Sequence, residues 1–383
     1  MKSLKKEKKQ NKILTKLEKY RKKDFTFSSG HILGSMCTQP LTIAKKTYMD
    51  FIEANLGDPE LFPGSKEIEE KYISFILKLL NAPKSATGLI GSGGTESNLS
   101  AIWLAKQLSG KKEIIVPYSA HFSFEKIASI MDVKLKVVRL TNDFVIDISE
   151  VKKKISKNTA AVVGIAGSTE LGTIDPISQL SEICIDENIF LHVDAAFGGF
   201  VIPFLEKNNN DFDFKLKGVS SITIDAHKMG CSAIPLGMLL VRKKNWLEQI
   251  SVDTPYISSK RQAGILATRS AGPVAAAYAV SEYLGFKGYQ SIVKNCMKNT
   301  DYIKEKIEKI GLELVTKPTL NILAIKLKKP LVIVNDLTKL GWKVNKMDRL
   351  SAVRIVVMPH VNRKIIDEFI PVFEKVCKKN SEI

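Results

Sequence analysis

Short runs of apolar, often β-branched residues alternate with longer segments of helical periodicity through the middle of the chain. The apolar runs, which predict strands, lie at residues 114–116, 135–138, 160–165, 190–193, 221–224 and 238–241. Apolar positions that repeat every three or four residues predict helices at about residues 94–109, 121–131 and 177–187. Strands separated by helices favour a mostly parallel, mixed sheet that helices cover on both faces.

The pattern differs on either side of this alternation. Before it, helices are predicted at residues 41–54 and 65–81, with Ser65 as the expected N-cap of the second. After it, a helical region at 262–310 precedes strands at 321–326, 342–346 and 353–357 and helices at 330–339 and 362–378. We therefore divide the chain into an N-terminal helical and irregular segment, a large domain and a small C-terminal α+β domain, at residues 1–50, 51–285 and 286–383.

Positive charge is concentrated at the N-terminus. The 383 residues include 58 lysines and arginines against 40 acidic residues, and much of the excess lies in residues 1–23, where Ile13, Leu14 and Leu17 recur at helical spacing. This segment is either an arm for nucleic acid or membrane, or an amphipathic helix that packs on a partner subunit. We favour the partner subunit, because base-stacking aromatics and a recognition motif are missing nearby. We expect no nucleic-acid or membrane partner.

The cysteines indicate a reducing compartment. Their number is odd and their spacing is wide, without a C-x-x-C pair: they are Cys37, Cys184, Cys231, Cys296 and Cys377. This spacing argues against a disulfide framework and against a zinc site. No apolar run approaches the length that spans a bilayer. We therefore expect a cytoplasmic protein that binds no metal.

Two of the predicted strands end in chemically reactive side chains. The run at 221–224 leads into Asp225-Ala226-His227-Lys228, and the run at 190–193 leads into Asp194-Ala195-Ala196-Phe197-Gly198-Gly199. An ammonium group is costly to desolvate, so a lysine at the edge of a buried sheet is expected to lose its proton and become a nucleophilic amine. The two strand ends predict one shared site.

Together these motifs resemble those of the pyridoxal-phosphate-dependent group II amino-acid decarboxylases, which carry an Asp-Ala-Ala-aromatic-Gly-Gly strand end and a His-Lys dipeptide. The resemblance covers nearly the whole chain, from Gly34-Ser35-Met36-Cys37 to residues 354–360. It implies the α/β fold of the PLP-dependent transferases, fold type I, with a large domain and a small C-terminal α+β domain. It also implies pyridoxal 5'-phosphate as the cofactor and, by analogy, a homodimer.

A glycine-rich turn follows the predicted helix at 65–81, in the segment Ile90-Gly91-Ser92-Gly93-Gly94-Thr95-Glu96. Glycines let backbone N–H groups approach an anion, and a helix that begins here directs its positive end toward that anion. The turn lacks the lysine of a P-loop and the spacing of a dinucleotide fingerprint. Without further support, a helix start capped by serine or threonine is the favoured interpretation of this turn. The resemblance assigns Gly93, Gly94 and Thr95 to the cofactor phosphate.

The resemblance also assigns residues to the rest of the cofactor. It makes Lys228 the residue to which the cofactor is attached, and it places Asp194 at the pyridine nitrogen, which the carboxylate keeps protonated so that the ring accepts electrons. His121 stacks on the ring, Thr169 lies near the ring oxygen, and His227 contacts the phosphate or the substrate. Without the resemblance, the alternative interpretations are that His121 is a structural group and that Asp194 caps a turn at the end of its strand.

Two residues are assigned to the substrate in the same way. Tyr256, in a polar loop that contains Pro255, matches the family tyrosine that returns a proton to Cα after carbon dioxide leaves. Without the resemblance it is an exposed tyrosine of no special role. Arg354 opens an apolar strand and matches the arginine that holds the α-carboxylate, although a structural ion pair is the alternative. Lys228, His121 and Tyr256 are thus the catalytic candidates.

The resemblance implies that the substrate is L-tyrosine, which gives tyramine as in methanofuran biosynthesis, or L-aspartate, which gives β-alanine for coenzyme A. The sequence does not choose between them. One rival is a retro-aldol lyase of the sphingosine-phosphate type, which shares both strand-end motifs. A cysteine desulfurase is disfavoured, because its reactive thiol is expected on an exposed loop of the site and no cysteine is predicted there. Cys231, close to Lys228, would have to serve. The rival from another class is a basic nucleic-acid-binding protein with a degenerate site.

Overall fold

The computed structural model describes residues 2–206, 211–255 and 261–383. The α-helices in these ranges are α1 (Lys2–Arg21), α2 (Thr42–Asp50), α3 (Pro63–Leu79), α4 (Gly94–Ser109), α5 (Ser123–Met131), α6 (Ile148–Lys154), α7 (Ile177–Asp186), α8 (Gly272–Lys309), α9 (Pro330–Lys339) and α10 (Arg363–Lys379). Short 3-10 helices lie at Phe27–Ser29, Gly198–Phe200, Ile202–Phe204, Lys244–Ile250 and Asp348–Leu350.

The strands of the same ranges form three sheets. In chain order they are β1 (Thr87–Gly91), β2 (Glu113–Pro117), β3 (Lys134–Val138), β4 (Thr159–Ile165), β5 (Phe190–Asp194), β6 (Val219–Asp225), β7 (Gly237–Val241), β8 (Val252–Asp253), β9 (Arg261–Gln262), β10 (Ile322–Lys326), β11 (Asn345–Met347) and β12 (Ala352–Val356). Every one of the six strands predicted before residue 242 is present, with ends shifted by no more than two residues.

The central sheet has seven strands in the order β1-β7-β6-β5-β4-β2-β3. The pairs from β6 to β3 are parallel, whereas β7 is antiparallel to both β1 and β6. β1 therefore runs in the same direction as the parallel strands. The prediction of a mostly parallel, mixed sheet is confirmed.

Apolar residues cover both faces of this sheet. Every residue of β4 is buried, and Val162 packs in one hydrophobic cluster while Ala161 and Val163 pack in another. Helix α4 contributes Ile102 to one cluster and helix α7 contributes Leu180 to the other. Continuous apolar strands are what a sheet buried on two faces requires.

The carboxyl ends of the parallel strands meet along one edge of the sheet. Gly93 follows β1, His121 follows β2, Thr169 follows β4, Asp194 ends β5 and Lys228 follows β6. Ligands of open α/β sheets bind outside this edge. Five separate stretches of sequence therefore deliver predicted site residues to one place.

A three-stranded antiparallel sheet, β10-β12-β11, forms the core of the C-terminal region. The chain near Leu33 joins it, since Leu33 N–H donates to the carbonyl oxygen of Lys343 at 2.8 Å and Val356 N–H donates to that of Leu33 at 2.7 Å. His360 extends this junction, with Nδ1 2.9 Å from the hydroxyl of Thr38 and Nε2 2.7 Å from the carbonyl oxygen of Ile32. The early chain thus depends on the last strands for its position.

Helix α8 is interrupted where the domain boundary is predicted. Gly285 has φ 54° and ψ −172°, which is outside the helical region. The boundary at residue 285 itself stays a prediction.

Helix α1 is exposed along its whole described surface. Its apolar residues Ile13, Leu14, Leu17 and Tyr20 are 50%, 51%, 56% and 55% exposed. Among the helices in the described ranges, none combines the length and the apolar character that crossing a bilayer requires.

Several local predictions differ from the structure, and helix α8 begins at Gly272 rather than at residue 262. Ser65 does not cap α3, because the helix begins at Pro63 and Ser65 is buried within it. Proline fits the first helical position because its fixed φ is already helical. A backbone N–H at this position would have no acceptor within the helix, so its absence costs no hydrogen bond. Strand β1 was not predicted, since Gly88 and Gly91 mask its short apolar pattern. Antiparallel pairing with β7 stabilises this strand, whose own sequence has little strand preference.

Candidate active site

The strand ends enclose a cavity of about 360 Å³ at the carboxyl edge of the central sheet. Most of the predicted site residues line it: Gly93, Gly94, Thr95, His121, Thr169, Asp194, His227 and Lys228. Arg354 lies beside these residues and donates a hydrogen bond to the backbone carbonyl oxygen of Thr169. Tyr256 lies outside the described residues.

Lys228 lies against a buried carboxylate. Its Nζ is 3.1 Å from Oδ2 of Asp225, and the two side chains are 18% and 2% exposed. Burial lowers the pKa of the Lys228 ammonium, but the carboxylates of Asp225 and Asp194 outweigh burial and hold that pKa above its ordinary value. The expectation that burial removes the proton from this lysine is wrong, because it left out the neighbouring acids.

Both oxygens of the Asp194 carboxylate accept hydrogen bonds. Oδ1 accepts from the backbone N–H of Ala196 at 3.0 Å, and Oδ2 accepts from the side-chain amide of Asn98 at 2.9 Å. The Asn98 oxygen in turn lies 3.0 Å from Nε2 of His192, which is fully buried. Asp194 is therefore fixed in orientation at the cavity wall, with lone pairs left for a donor inside the cavity.

The glycine turn places backbone N–H groups at the start of α4. Gly93 is the N-cap, with φ 154°, a conformation that residues with a side chain rarely adopt. Glu96 accepts from both the N–H and the hydroxyl of Ser92, each at 2.7 Å, which closes the turn behind the helix start. The first N–H groups of a helix have no intrahelical partner, so they point toward the cavity as donors for an anion.

His121 precedes α5 rather than opening it. Its Nδ1 accepts from the N–H of Ser123 at 3.2 Å, which leaves the proton of the neutral ring on Nε2. Burial is the main cause that lowers the pKa of His121. A neutral, flat ring at the cavity wall suits stacking on an aromatic ligand.

His227 lies against the glycine turn. A Cβ built on Gly93 would be 3.2 Å from Cε1 of His227. Nδ1 of His227 is 2.7 Å from the carbonyl oxygen of Leu236, and Nε2 is 3.7 Å from Oδ2 of Asp225. The imidazole is thereby held next to the N–H groups that would bind an anion.

Arg354 is buried in β12 without an acidic partner in the contacts that hold it. Its guanidinium donates to the carbonyl oxygens of Thr169 at 2.6 Å and of Gly34 at 2.8 Å. Its Nε has no hydrogen-bond partner among the described residues. These hydrogen bonds go to carbonyl oxygens, so they do not form the structural ion pair considered for Arg354. A buried guanidinium held by neutral carbonyls keeps a positive charge that a carboxylate can neutralise.

Asn98 and Ser119 line the same cavity and were not predicted. Asn98 lies one turn after Gly94 on α4, in a stripe that continues with apolar Ile102. A polar residue inside an apolar stripe was the signal available in the sequence. Ser119 carried no signal apart from its closeness to His121 in the chain.

The groups around the cavity fit pyridoxal phosphate. Ser119 Oγ and Asp225 Oδ1 are buried and have no hydrogen-bond partner in the described part of the chain. A Cβ on Gly94 would be 3.1 Å from Oδ2 of Asp225, in space that glycine leaves open. The amine of Lys228, the carboxylate of Asp194 and the N–H groups of α4 are the partners that an aldehyde, a ring N–H and a phosphate require.

Residues 36–328 match the protein family described as "Pyridoxal-dependent decarboxylase conserved domain". A probable L-tyrosine/L-aspartate decarboxylase from Methanothermobacter thermautotrophicus is 46% identical over 349 residues, which cover 89% of this chain and 96% of that protein. An L-aspartate/L-glutamate decarboxylase from Pyrococcus horikoshii is 46% identical over 373 residues, which cover 95% of this chain and 97% of that protein.

Solved structures share the fold. A sphingosine-1-phosphate lyase from Burkholderia pseudomallei has a TM-score of 0.88 at 23% identity, covering 96% of this chain and 90% of that chain. At this identity the likeness concerns the fold alone. It confirms the predicted fold class, that of the PLP-dependent transferases.

Proposed function

Because the chain belongs to the pyridoxal-dependent decarboxylase family, we propose that the site around Lys228 removes the α-carboxyl group of L-tyrosine or L-aspartate. The protein is a pyridoxal-phosphate-dependent amino-acid decarboxylase, and the proposal concerns its substrate and its residues. The name of the relative from M. thermautotrophicus supports these two amino acids, and the name of the relative from P. horikoshii adds L-glutamate to the candidates.

The observation that carries the proposed site is the convergence of an amine, a carboxylate and a glycine turn on one cavity. We assign attachment of the cofactor to Lys228, its ring nitrogen to Asp194 and its phosphate to the turn Gly93-Gly94-Thr95. His121 stacks on the ring and excludes water from that face. When bound, the cofactor supplies a conjugated ring that accepts the electron pair released as the carboxyl group leaves.

Asp225 controls the proton of Lys228 in this proposal. The ammonium lies 3.1 Å from the Asp225 carboxylate, so the proton is held between the two groups. An amine attacks a carbonyl only in its neutral form, so this proton must leave Nζ before Lys228 reacts. Asp225 is the acceptor within hydrogen-bond distance.

Arg354 and Tyr256 complete the assignment on the substrate side. In the described part of the chain Arg354 forms no ion pair, and its buried Nε has no hydrogen-bond partner, which supports binding of the substrate α-carboxylate. Thr169 is held next to it by its carbonyl oxygen. Tyr256 is proposed as the group that returns a proton to Cα, as the family resemblance implies.

The retro-aldol rival receives support from the fold alone. The sphingosine-1-phosphate lyase shares the architecture at 23% identity, whereas the relatives at 46% identity are named decarboxylases. Function resides in the site rather than in the fold. Decarboxylation is therefore the activity that the family supports.

We also propose that the protein is a homodimer and binds neither nucleic acid nor membranes. Four apolar side chains of α1 are at least half exposed. A lysine-rich helix whose described side chains are exposed is marginal, because most helical stability comes from tertiary packing. In a dimer, the apolar face of α1 can pack against the same face of α1 from the second copy, which buries both.

A substrate panel tests the proposed function. Protein loaded with pyridoxal phosphate is incubated with L-tyrosine, L-aspartate, L-glutamate and their D-enantiomers, and carbon dioxide and amine are measured. We expect release from L-tyrosine or L-aspartate, and none from any substrate with Lys228→Ala, which lacks the amine that attaches the cofactor. Release from L-glutamate alone, or from none of the L-amino acids, would contradict the proposal.

A further inference from the structure

Asp194 is the end of a buried chain of polar side chains. Asn98 donates to Oδ2 of Asp194 at 2.9 Å, Nε2 of His192 lies 3.0 Å from the Asn98 oxygen, and Oγ of Ser221 lies 2.8 Å from Nδ1 of His192. Asp194 is 7% exposed, Asn98 is 1% exposed, and the other two are fully buried. The chain connects β6, β5 and α4, and the hydroxyl of Thr223 on β6, which is also fully buried, lies 3.4 Å from Nε2 of His192.

The proton positions in this chain follow from Asp194. A carboxylate only accepts hydrogen bonds, so Asn98 must turn its NH₂ group toward Asp194 and its oxygen toward His192. That oxygen also only accepts, so Nε2 of His192 carries a proton. Nδ1 is then an acceptor, and it receives the hydroxyl proton of Ser221. One arrangement satisfies every member, which fixes the tautomer of the imidazole.

His192 takes part in this chain as a neutral ring. Burial lowers the pKa of His192 to about 4, so it carries no charge near neutral pH. The two hydrogen bonds that Asp194 receives from the protein, from Asn98 and from the N–H of Ala196, therefore come from neutral donors. The negative charge of Asp194 stays available to a donor in the cavity.

A solely structural role does not account for these residues. His192 lies between Leu191 and Val193 on a strand that is buried throughout, where an apolar side chain would need no partners. Buried polar networks are tolerated only when every member is satisfied, and they then specify one geometry. The geometry that this one specifies is that of Asp194.

We propose that Asn98 and His192 are positioning residues, which hold the Asp194 carboxylate in line with the ring nitrogen of the bound cofactor. Asn98 acts directly on Asp194, and His192 acts by fixing the orientation of the Asn98 amide. This inference rests on the role proposed for Asp194.

The test uses holoenzyme loaded with pyridoxal phosphate that carries ¹⁵N in its ring. The ¹⁵N resonance reports protonation of the ring nitrogen, and the dissociation constant of the cofactor is measured in parallel. We expect Asn98→Leu to move the resonance toward its unprotonated position and to weaken cofactor binding about 10- to 100-fold, since a hydrogen bond to a charged group is lost.

Variants of His192 and a neighbour complete the test. His192→Phe should move the resonance in the same direction as Asn98→Leu, and His192→Gln, whose amide restores a donor to the Asn98 oxygen, should return it. Ser97→Ala is the matched control, because Ser97 is adjacent on α4 and buried but its hydroxyl has no partner among the described residues. It should leave both readouts unchanged.

The comparison with Asp194→Asn separates two failures. If Asp194→Asn moves the ¹⁵N resonance while the Asn98 and His192 variants leave it at the wild-type position, the positioning role is wrong and the role of Asp194 stands. If Asp194→Asn also leaves it unchanged, the proposed role of Asp194 is wrong and the inference fails with it.

Discussion

At the scale of residues, the protonation of Lys228 depends on Asp225. Burial and the carboxylates act in opposite directions on the ammonium, and the carboxylates prevail. A charged lysine is unreactive toward a carbonyl, so the ammonium must lose its proton before the attachment that we propose for Lys228. The interaction also orients Nζ, since Asp225 is almost completely buried.

We predict that Asp225→Asn lowers the pKa of Lys228, because an amide removes the negative charge and leaves the desolvation. The rate at which pyridoxal phosphate attaches to cofactor-free protein, followed by absorbance from pH 6 to 11, should then reach its plateau at lower pH than in the wild type. Asp336→Asn is the control, since that carboxylate pairs with Lys339 and Lys379 on the surface of the C-terminal region. An unshifted profile in Asp225→Asn would show that Asp225 does not set this pKa.

Whether a site residue could be predicted from the sequence depended on its position relative to the strands and helices. Asp194 and Lys228 stand at strand ends, where a polar residue after an apolar run is conspicuous, and both line the cavity. Asn98 lies inside a helix and bonds to residues 96 and 94 positions away, so no local pattern reveals its partners. The charge of Lys228 was wrongly predicted because the effect of Asp225, three positions earlier in the chain, was left out, and because only the fold brings Asp194 close.

At the scale of elements, the start of α4 is built around glycine. Gly94 lies in its first turn, and a Cβ there would be 3.2 Å from Cβ of Ala196 and 3.1 Å from Oδ2 of Asp225. Both contacts are tighter than ordinary packing, and both neighbours are buried. The absence of a side chain thus lets α4 meet the ends of β5 and β6.

We expect Gly94→Ala to weaken the binding of pyridoxal phosphate roughly tenfold or more, since overpacking costs about 1–3 kcal/mol and displaces the N–H donors. Equilibrium titration of cofactor-free protein measures this. Gly64→Ala is the matched control, because Gly64 also lies in the first turn of a helix, α3, but a Cβ there meets nothing within 4 Å. Equal affinities for the two variants would exclude α4 as the phosphate site.

Elements were predictable where their burial is uniform. All residues of β2, β4 and β5 are buried, and their apolar runs were evident. β1 contains two glycines and gains its stability from β7, a partner about 150 positions later in the chain. Short α6 was missed although Asp147 caps it, since seven residues show little periodicity.

At the scale of the whole molecule, the exposed face of α1 makes the proposed dimer testable. We predict that deletion of residues 1–23 shifts the protein from dimer toward monomer in sedimentation velocity, because the apolar surface of Ile13, Leu14 and Leu17 is removed. Deletion of residues 1–11 should leave the dimer intact, since it removes lysines and spares those three residues. A dimer that survives the longer deletion unchanged would exclude α1 as part of the interface.

The junction between the early chain and the last strands also determines when the site is completed during synthesis. Thr38 and His360 are 322 positions apart, and Arg354 reaches back to the carbonyl oxygen of Gly34. At about 5–20 residues per second, a ribosome needs roughly 15–65 s to make the intervening chain. During that time the segment around Gly34 lacks its partners from the C-terminal region. Arg354, which we propose binds the substrate, is synthesised 320 residues after Gly34, whose carbonyl oxygen it contacts.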